Sequence, residues 1–456
     1  MTFYDIHSFQ DLIVFPLFWI LFSILVHNYS IKIEHNKKIR GYIRLAFQLK
    51  MLFYTTNTFV FWYFYGSLLD TGGYYMGVKG IANVLAQNSE LSILDVYLNP
   101  ENFTKYSGLE IVKLGTDVTA AIPNLTLPLY YLANGSFLGT GTLLNFLSFI
   151  SACQLYRTFK LEFPQYALQS VVATLLLPSV VIWSSGIYKD TYSFIGVCLL
   201  IQATHQIVFK KDYTFKHIIA VLLSIILIFI TKPYILIVLP FLLVGIIRKL
   251  AKRLSPGLKN IFYILAFISA FIMIKVTLNA LGESTLGSSQ FADTEKVKEI
   301  AEGLNNYYQD ESARGGSHYS IGIMDFSFTG LLRLFPNAVI VTFFRPFLWE
   351  IKSIIYIPNI IESFILLFLT LKLLYKQKLD FFKSIFKNNF LTFCFLFSIF
   401  FAFIVGVTSF NFGTLTRYKI PCMPFFAFTI FVLYAKNKEN LNKTTIIQPK
   451  SLEIIK

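Results

Sequence analysis

Long apolar runs alternate with short polar connections along the chain. A helix needs about 20 mostly apolar residues to cross a bilayer. By that rule the runs predict helices over 9–29, 45–66, 136–156, 166–186, 191–209, 217–231, 235–247, 260–281, 354–375, 390–410 and 420–435, about eleven in all. The sixth and seventh are short and predict a hairpin of tilted or incomplete spans around Thr231-Lys232-Pro233-Tyr234. Two connections are long. The first, 67–135, contains an apolar stretch from Gly115 to Asn134 broken by Asp117, Pro123 and Pro128, which predicts an interfacial or re-entrant segment rather than a span. The second, 282–353, opens with an acidic, soluble-looking part carrying Glu295, Glu299 and Glu302 at helical spacing, followed by a flexible stretch from Arg314 to His318. It closes with an apolar part, Phe326 to Glu350, that predicts an interfacial helix pair broken at Pro336 and Pro346. The expected fold is an all-α polytopic membrane protein, one integral-membrane domain over 1–456. No internal repeat or low-complexity tract interrupts it.

Composition agrees with this pattern. The chain is 55% hydrophobic, only 14% charged and has a mean hydropathy of +0.60, where a soluble domain carries about a quarter charged residues. These figures exclude a soluble globular enzyme, a disordered chain and a disulfide scaffold. Cys153, Cys198, Cys394 and Cys422 lie in or at the ends of apolar runs, none in a CxxC, and read as small packing residues. The stretch before the first run has no basic region and no small-residue cleavage site, so that run reads as a retained helix.

The net charge of +15 matters through its placement, because cytoplasmic loops collect Lys and Arg. One set of alternate connections holds Lys32 to Lys50, Arg157 to Glu162, Lys210 to Lys216, Arg248 to Lys259, Lys372 to Lys387 and the tail from Lys436. Together they carry 26 basic and 6 acidic residues; the rest of the chain has 14 basic and 19 acidic. The expectation is a cytoplasmic first set, an outer N-terminus and a cytoplasmic C-terminus. Nothing in this distribution points to nucleic acid.

In that topology the polar groups that interrupt apolar sequence share the outer face. Asp70, followed by Gly72, Gly73, Tyr74 and Tyr75, is either a turn residue or a general base beside tyrosines able to stack on sugars. Lys189 and Asp190 form either a local ion pair with a helix cap or a phosphate grip. Lys232 sits in the short hairpin. Arg345, among aromatics and near Glu350, either binds a diphosphate bidentately or snorkels and stacks on Trp349. Arg417 and Lys419 enter the last helix from the outer side, against the charge bias, either snorkelling or holding an anion. No HExxH, GxGxxG, Walker A or GxSxG is present, so no cofactor is expected and no pattern supports a metal site, with a divalent metal left open.

Two long outer loops, an early outer Asp70 followed by Tyr74 and Tyr75, and a late Arg417-Tyr418-Lys419-Ile420-Pro421 resemble bacterial integral-membrane glycosyltransferases of the GT-C type. The resemblance implies an inverting transfer of sugar from a polyprenyl-phosphate-linked donor to a glycan or lipid acceptor, at the outer face of the inner membrane, during cell-surface polysaccharide assembly. It implies Asp70 as the base, with Lys189, Lys232, Arg345 and Arg417 on the lipid phosphate. The layout is also similar to O-antigen polymerases and ligases, although the Arg-to-Gly spacing of their loops is not found from Arg314, Arg333 or Arg345. A transporter or flippase of lipid-linked sugars is the alternative of a different class.

Overall fold

The computed structural model describes residues 8–65, 69–99, 118–237, 328–350, 354–409 and 411–447, with positions 103, 255, 258, 319, 321 and 322. The described chain is helical: α1 (Phe9–Ile33), α2 (Lys37–Tyr65), α3 (Leu69–Gln87), α4 (Ile93–Leu98), α5 (Val118–Leu132), α6 (Phe137–Glu162), α7 (Ala167–Val171), α8 (Pro178–Trp183), α9 (Lys189–Val208), α10 (Phe215–Thr231), α11 (Phe328–Phe344), α12 (Ile357–Gln377), α13 (Leu379–Phe386), α14 (Asn389–Thr408), α15 (Phe412–Tyr418) and α16 (Met423–Ile447). Spans expected at 235–247 and 260–281 lie mostly or wholly outside the described residues, as do Phe291 to Arg314 and His318.

Among the described residues, six helical segments are long and apolar enough to cross a membrane: α1, α6, the run Pro164–Trp183 through α7 and α8, α9, α12 and α14. A seventh is the pair α15 and α16, bent by 71° at the break between them. The protein is a multi-pass membrane protein, and its described residues hold fewer qualifying spans than the sequence predicts for the whole chain. Two expected spans account for part of the difference. Helix α2 covers 45–65 but is diluted by Gln48, Lys50, Thr55, Thr56, Asn57 and Thr58, and α10 has only 17 residues.

Both long connections carry helices, and the second departs from the break expected at Pro336. Over its described residues the first is largely helical, and α5 continues through Pro123 and Pro128 as a single 15-residue helix packed on α3. In the second, α11 passes Pro336 unbroken and ends before Pro346. It lies antiparallel on α14: Thr342 Oγ1 donates to the Ala402 carbonyl at 2.8 Å, and a Cβ added to Gly406 would stand 2.4 Å from the Ala338 carbonyl oxygen. Glycine at 406 is what lets the two backbones touch, the usual device where lipid gives no hydrophobic drive to helix pairing.

Many of the 49 phenylalanines fill the bundle interior. Phe159 of α6 packs on Phe390 of α14 and on Phe425 and Phe428 of α16, with centroids 4.3 to 5.6 Å apart. Phe343 stacks on Phe426 at 3.9 Å. The opposite kind of surface is carried by α1, which exposes Leu12, Ile13, Leu17, Ile20, Leu21, Ile24 and Leu25, the face a lipid-bathed helix presents.

Polar anchors set the register. Asp11 of α1 accepts from Ser136 Oγ at 2.5 Å and Leu138 N at 2.9 Å, and twenty-odd residues later Glu34 accepts from Lys160 at 2.8 Å and from Tyr156. Helices α1 and α6 therefore run parallel, with α2 returning between them. All four cysteines are buried and free.

Candidate functional site

At the end of the bundle where α3 and α9 begin and α10 and α15 finish, four charged side chains meet. Asp190 lies in the first turn of α9 and is 2% exposed. Its Oδ1 accepts from Lys232 Nζ, and its Oδ2 accepts from Arg417 Nε at 3.1 Å and Nη2 at 2.9 Å. The third arm of the guanidinium, Nη1, donates to Asp70 Oδ2 at 2.8 Å. Asp70 is the outward member of the set, its side chain 47% exposed.

Local folding explains each position. Asp70 and Asp190 stand in the first turns of their helices, where the backbone dipole favours an anion. Lys232 is the residue that ends α10, its N–H still donating to Ile228, where the dipole favours a cation. Pro233 follows and forces the helix to stop. Arg417 lies in the last turn of α15, just before the 71° bend. The aromatic neighbours complete the set. Lys232 Nζ is 4.0 Å above the Tyr418 ring, and the Arg417 guanidinium is 5.1 Å from the Tyr188 ring. Taken together, two carboxylates balance two cations, which is the condition for holding buried charge at membrane depth.

Of the residues singled out from sequence, Asp70, Asp190, Lys232 and Arg417 are in direct contact. Tyr74 is buried beside them, while Tyr75, 1% exposed, turns away and donates to the Gly135 carbonyl at 2.5 Å. Lys189 is half-buried next to Asp190. Lys419, fully buried, donates to the Arg345 carbonyl at 3.4 Å and interacts electrostatically with Glu362 of α12. Arg345 keeps its own company. It pairs with Glu350 and lies 5.2 Å and 5.3 Å from the rings of Tyr319 and Phe412, while Trp349 stacks instead on Phe347.

Lys50 and Glu362 are buried ionisable groups that were not among the candidates. Lys50, counted from sequence with a cytoplasmic loop, is 4% exposed in the middle of α2 and donates to Ser184 O at 2.5 Å and Ser184 Oγ at 2.7 Å. Glu362 of α12 accepts from Ser179 N and Ser179 Oγ, both at 2.7 Å. A single acid inside the apolar run 354–375 is the signal that marks Glu362.

The stretch from Ser184 to Tyr188 also lies deeper than a surface turn. Gly186 donates to Asn145 Oδ1 at 2.7 Å, and Asn145 is eight residues, about 12 Å of helix, below the start of α6. Gly186 has φ +98°, a conformation that costs other residues dearly. The cluster is thus a set of helix breaks folded into the bundle end. Chemically it offers one guanidinium shared between a buried and an accessible carboxylate. The accessible one can be displaced by another anion without stranding the arginine.

No protein-family model, no curated protein and no solved structure matches this chain, so the roles of these residues rest on their geometry.

Proposed function

We propose that the protein is an inverting membrane glycosyltransferase of cell-surface glycan assembly, using a polyprenyl-(di)phosphate-linked sugar at the outer face of the inner membrane. In this reading the N-terminus is outside, the C-terminus cytoplasmic, and about eleven segments enter or cross the bilayer. The observation that carries it is the Asp70–Arg417 contact, an accessible carboxylate held by a guanidinium that Asp190 and Lys232 lock from behind.

The donor's phosphate competes with Asp70 for Arg417 Nη1, with Lys189 as a second positive group. Once released, Asp70 takes the proton of the acceptor hydroxyl. That oxygen bonds to the anomeric carbon from the face opposite the phosphate as the carbon–oxygen bond to phosphate breaks. The polyprenyl (di)phosphate leaves carrying the electron pair, its charge held by Arg417. Binding the donor and freeing the base are one event.

The test is sugar transfer by purified protein in nanodiscs with a panel of polyprenyl-phosphate sugars. Asp70→Asn should lower transfer by about 100-fold or more, with unchanged expression and a melting temperature within about 1 °C of the parent. Full activity in Asp70→Asn rules the mechanism out. A second reading, movement of a lipid-linked sugar across the membrane, draws on the convergence of three helix breaks on the cluster, a feature of transporter sites. Translocation of labelled lipid in vesicles, with no new glycosidic bond, favours it.

A further inference from the structure

Helix α8 is six residues long, yet a buried charge of opposite sign meets each of its ends. At its N-terminus the Ser179 N–H and hydroxyl donate to Glu362 of α12, 3% exposed. At its C-terminus the Ser184 carbonyl and hydroxyl accept Lys50 of α2, and Ser148 Oγ adds a bond of 3.2 Å to the same carbonyl. The signs follow the helix dipole, anion at the N-terminus and cation at the C-terminus. Among the described residues no carboxylate pairs with Lys50. Its compensation is the C-terminal end of α8, while Glu362 at the other end also interacts electrostatically with Lys419. The chain then passes Gly186, held by Asn145, and enters α9 at Lys189 and Asp190.

We infer that Lys50 and Glu362 are positioning residues that clamp α8 from both ends and thereby fix the height at which Asp190 presents Arg417 to Asp70. This goes beyond the proposed reaction and does not depend on its substrate. Six residues of helix and the two hydrogen-bonded contacts put the charges about 13 Å apart. At an effective dielectric of about 20, two unit charges at that distance couple by close to tenfold in an equilibrium constant. The two residues never touch, so this coupling is the signature of the clamp.

The experiment places a reporter beside Asp190. Lys189→Cys, in full-length protein in nanodiscs, is labelled with a maleimide, and the native cysteines give the background. Lys50→Met should raise the labelling rate about tenfold, Glu362→Gln should do likewise, and Lys50→Arg should restore the slow rate. The double variant Lys50→Met/Glu362→Gln should fall about tenfold short of the product of the two single effects. A control, Leu366→Ala in the same helix as Glu362, should lower thermal stability without moving the rate more than twofold. Rates within twofold of the Lys189→Cys parent in the single variants overturn the inference. Multiplicative single effects, or an equal rise in Leu366→Ala, overturn it too. If Lys50→Met is not recovered folded, Glu362→Gln decides by the same readout from the other end of α8.

Discussion

Replacing Asp190 by Asn keeps the shape of the side chain and removes its charge. Lys232 and Arg417 then face each other at the bundle end with only Asp70 to answer them, and Asp70 is on the far side of the guanidinium. Removing one partner of a buried ion pair costs about 3–5 kcal/mol, because the stranded charge remains desolvated. For a chain of 456 residues, an unfolding entropy of about 2 cal/mol/K per residue converts each kcal/mol into about 1 °C. Asp190→Asn should therefore melt about 3–5 °C below the parent. Asp70→Asn, at the half-exposed end of the same arginine, should cost no more than about 1 kcal/mol and about 1 °C. Lys232→Met in the Asp190→Asn background should recover part of the loss, since it removes one of two stranded cations. The assay is thermal unfolding in a mild detergent, followed by intrinsic fluorescence and by size-exclusion recovery. Equal melting of Asp190→Asn and Asp70→Asn would refute the reasoning. So would further destabilisation by Lys232→Met in that background.

Two more expectations lie outside the cluster. Glu34, in the connection between α1 and α2, feels burial that would raise its pKa, but hydrogen bonds from Lys160, Tyr156 and the Asn36 N–H outweigh it and hold the carboxyl below its ordinary value. A lowered folded-state pKa gives stability that is present above the unfolded value of about 4.3 and disappears as pH falls through the folded one. Glu34→Gln should accordingly cost about 1.5–3 kcal/mol at pH 7, and the gap to the parent should narrow in melts taken progressively below pH 4.3. A gap that is constant with pH contradicts this. Gly406→Ala should force α11 and α14 apart at the Ala338 carbonyl and cost about 1–3 kcal/mol, read as a lower melting temperature, and an unchanged one would deny the close crossing.

Hydropathy alone made the helical, membrane-spanning character legible, because hydrocarbon tolerates only backbones that satisfy themselves. It also flagged Asp70, Asp190, Lys232 and Arg417, since an ionised group beside an apolar run is too costly to be casual. Three things lay beyond it. Periodicity is blind to whether Pro123, Pro128 and Pro336 break a helix, because neighbouring helices can support the freed backbone groups. Loop counting put Lys50 with the cytoplasmic basic residues, although its stem carries the ammonium to Ser184, 134 positions away. The partnership of Asp70 with Arg417 spans 347 positions, and no local pattern encodes it. Which residues are costly in a membrane is a property of each side chain and its neighbours in sequence, and that much the chain states by itself. Which of them offset one another depends on where helix ends meet, and only the packing of α3, α9, α10 and α15 decides that.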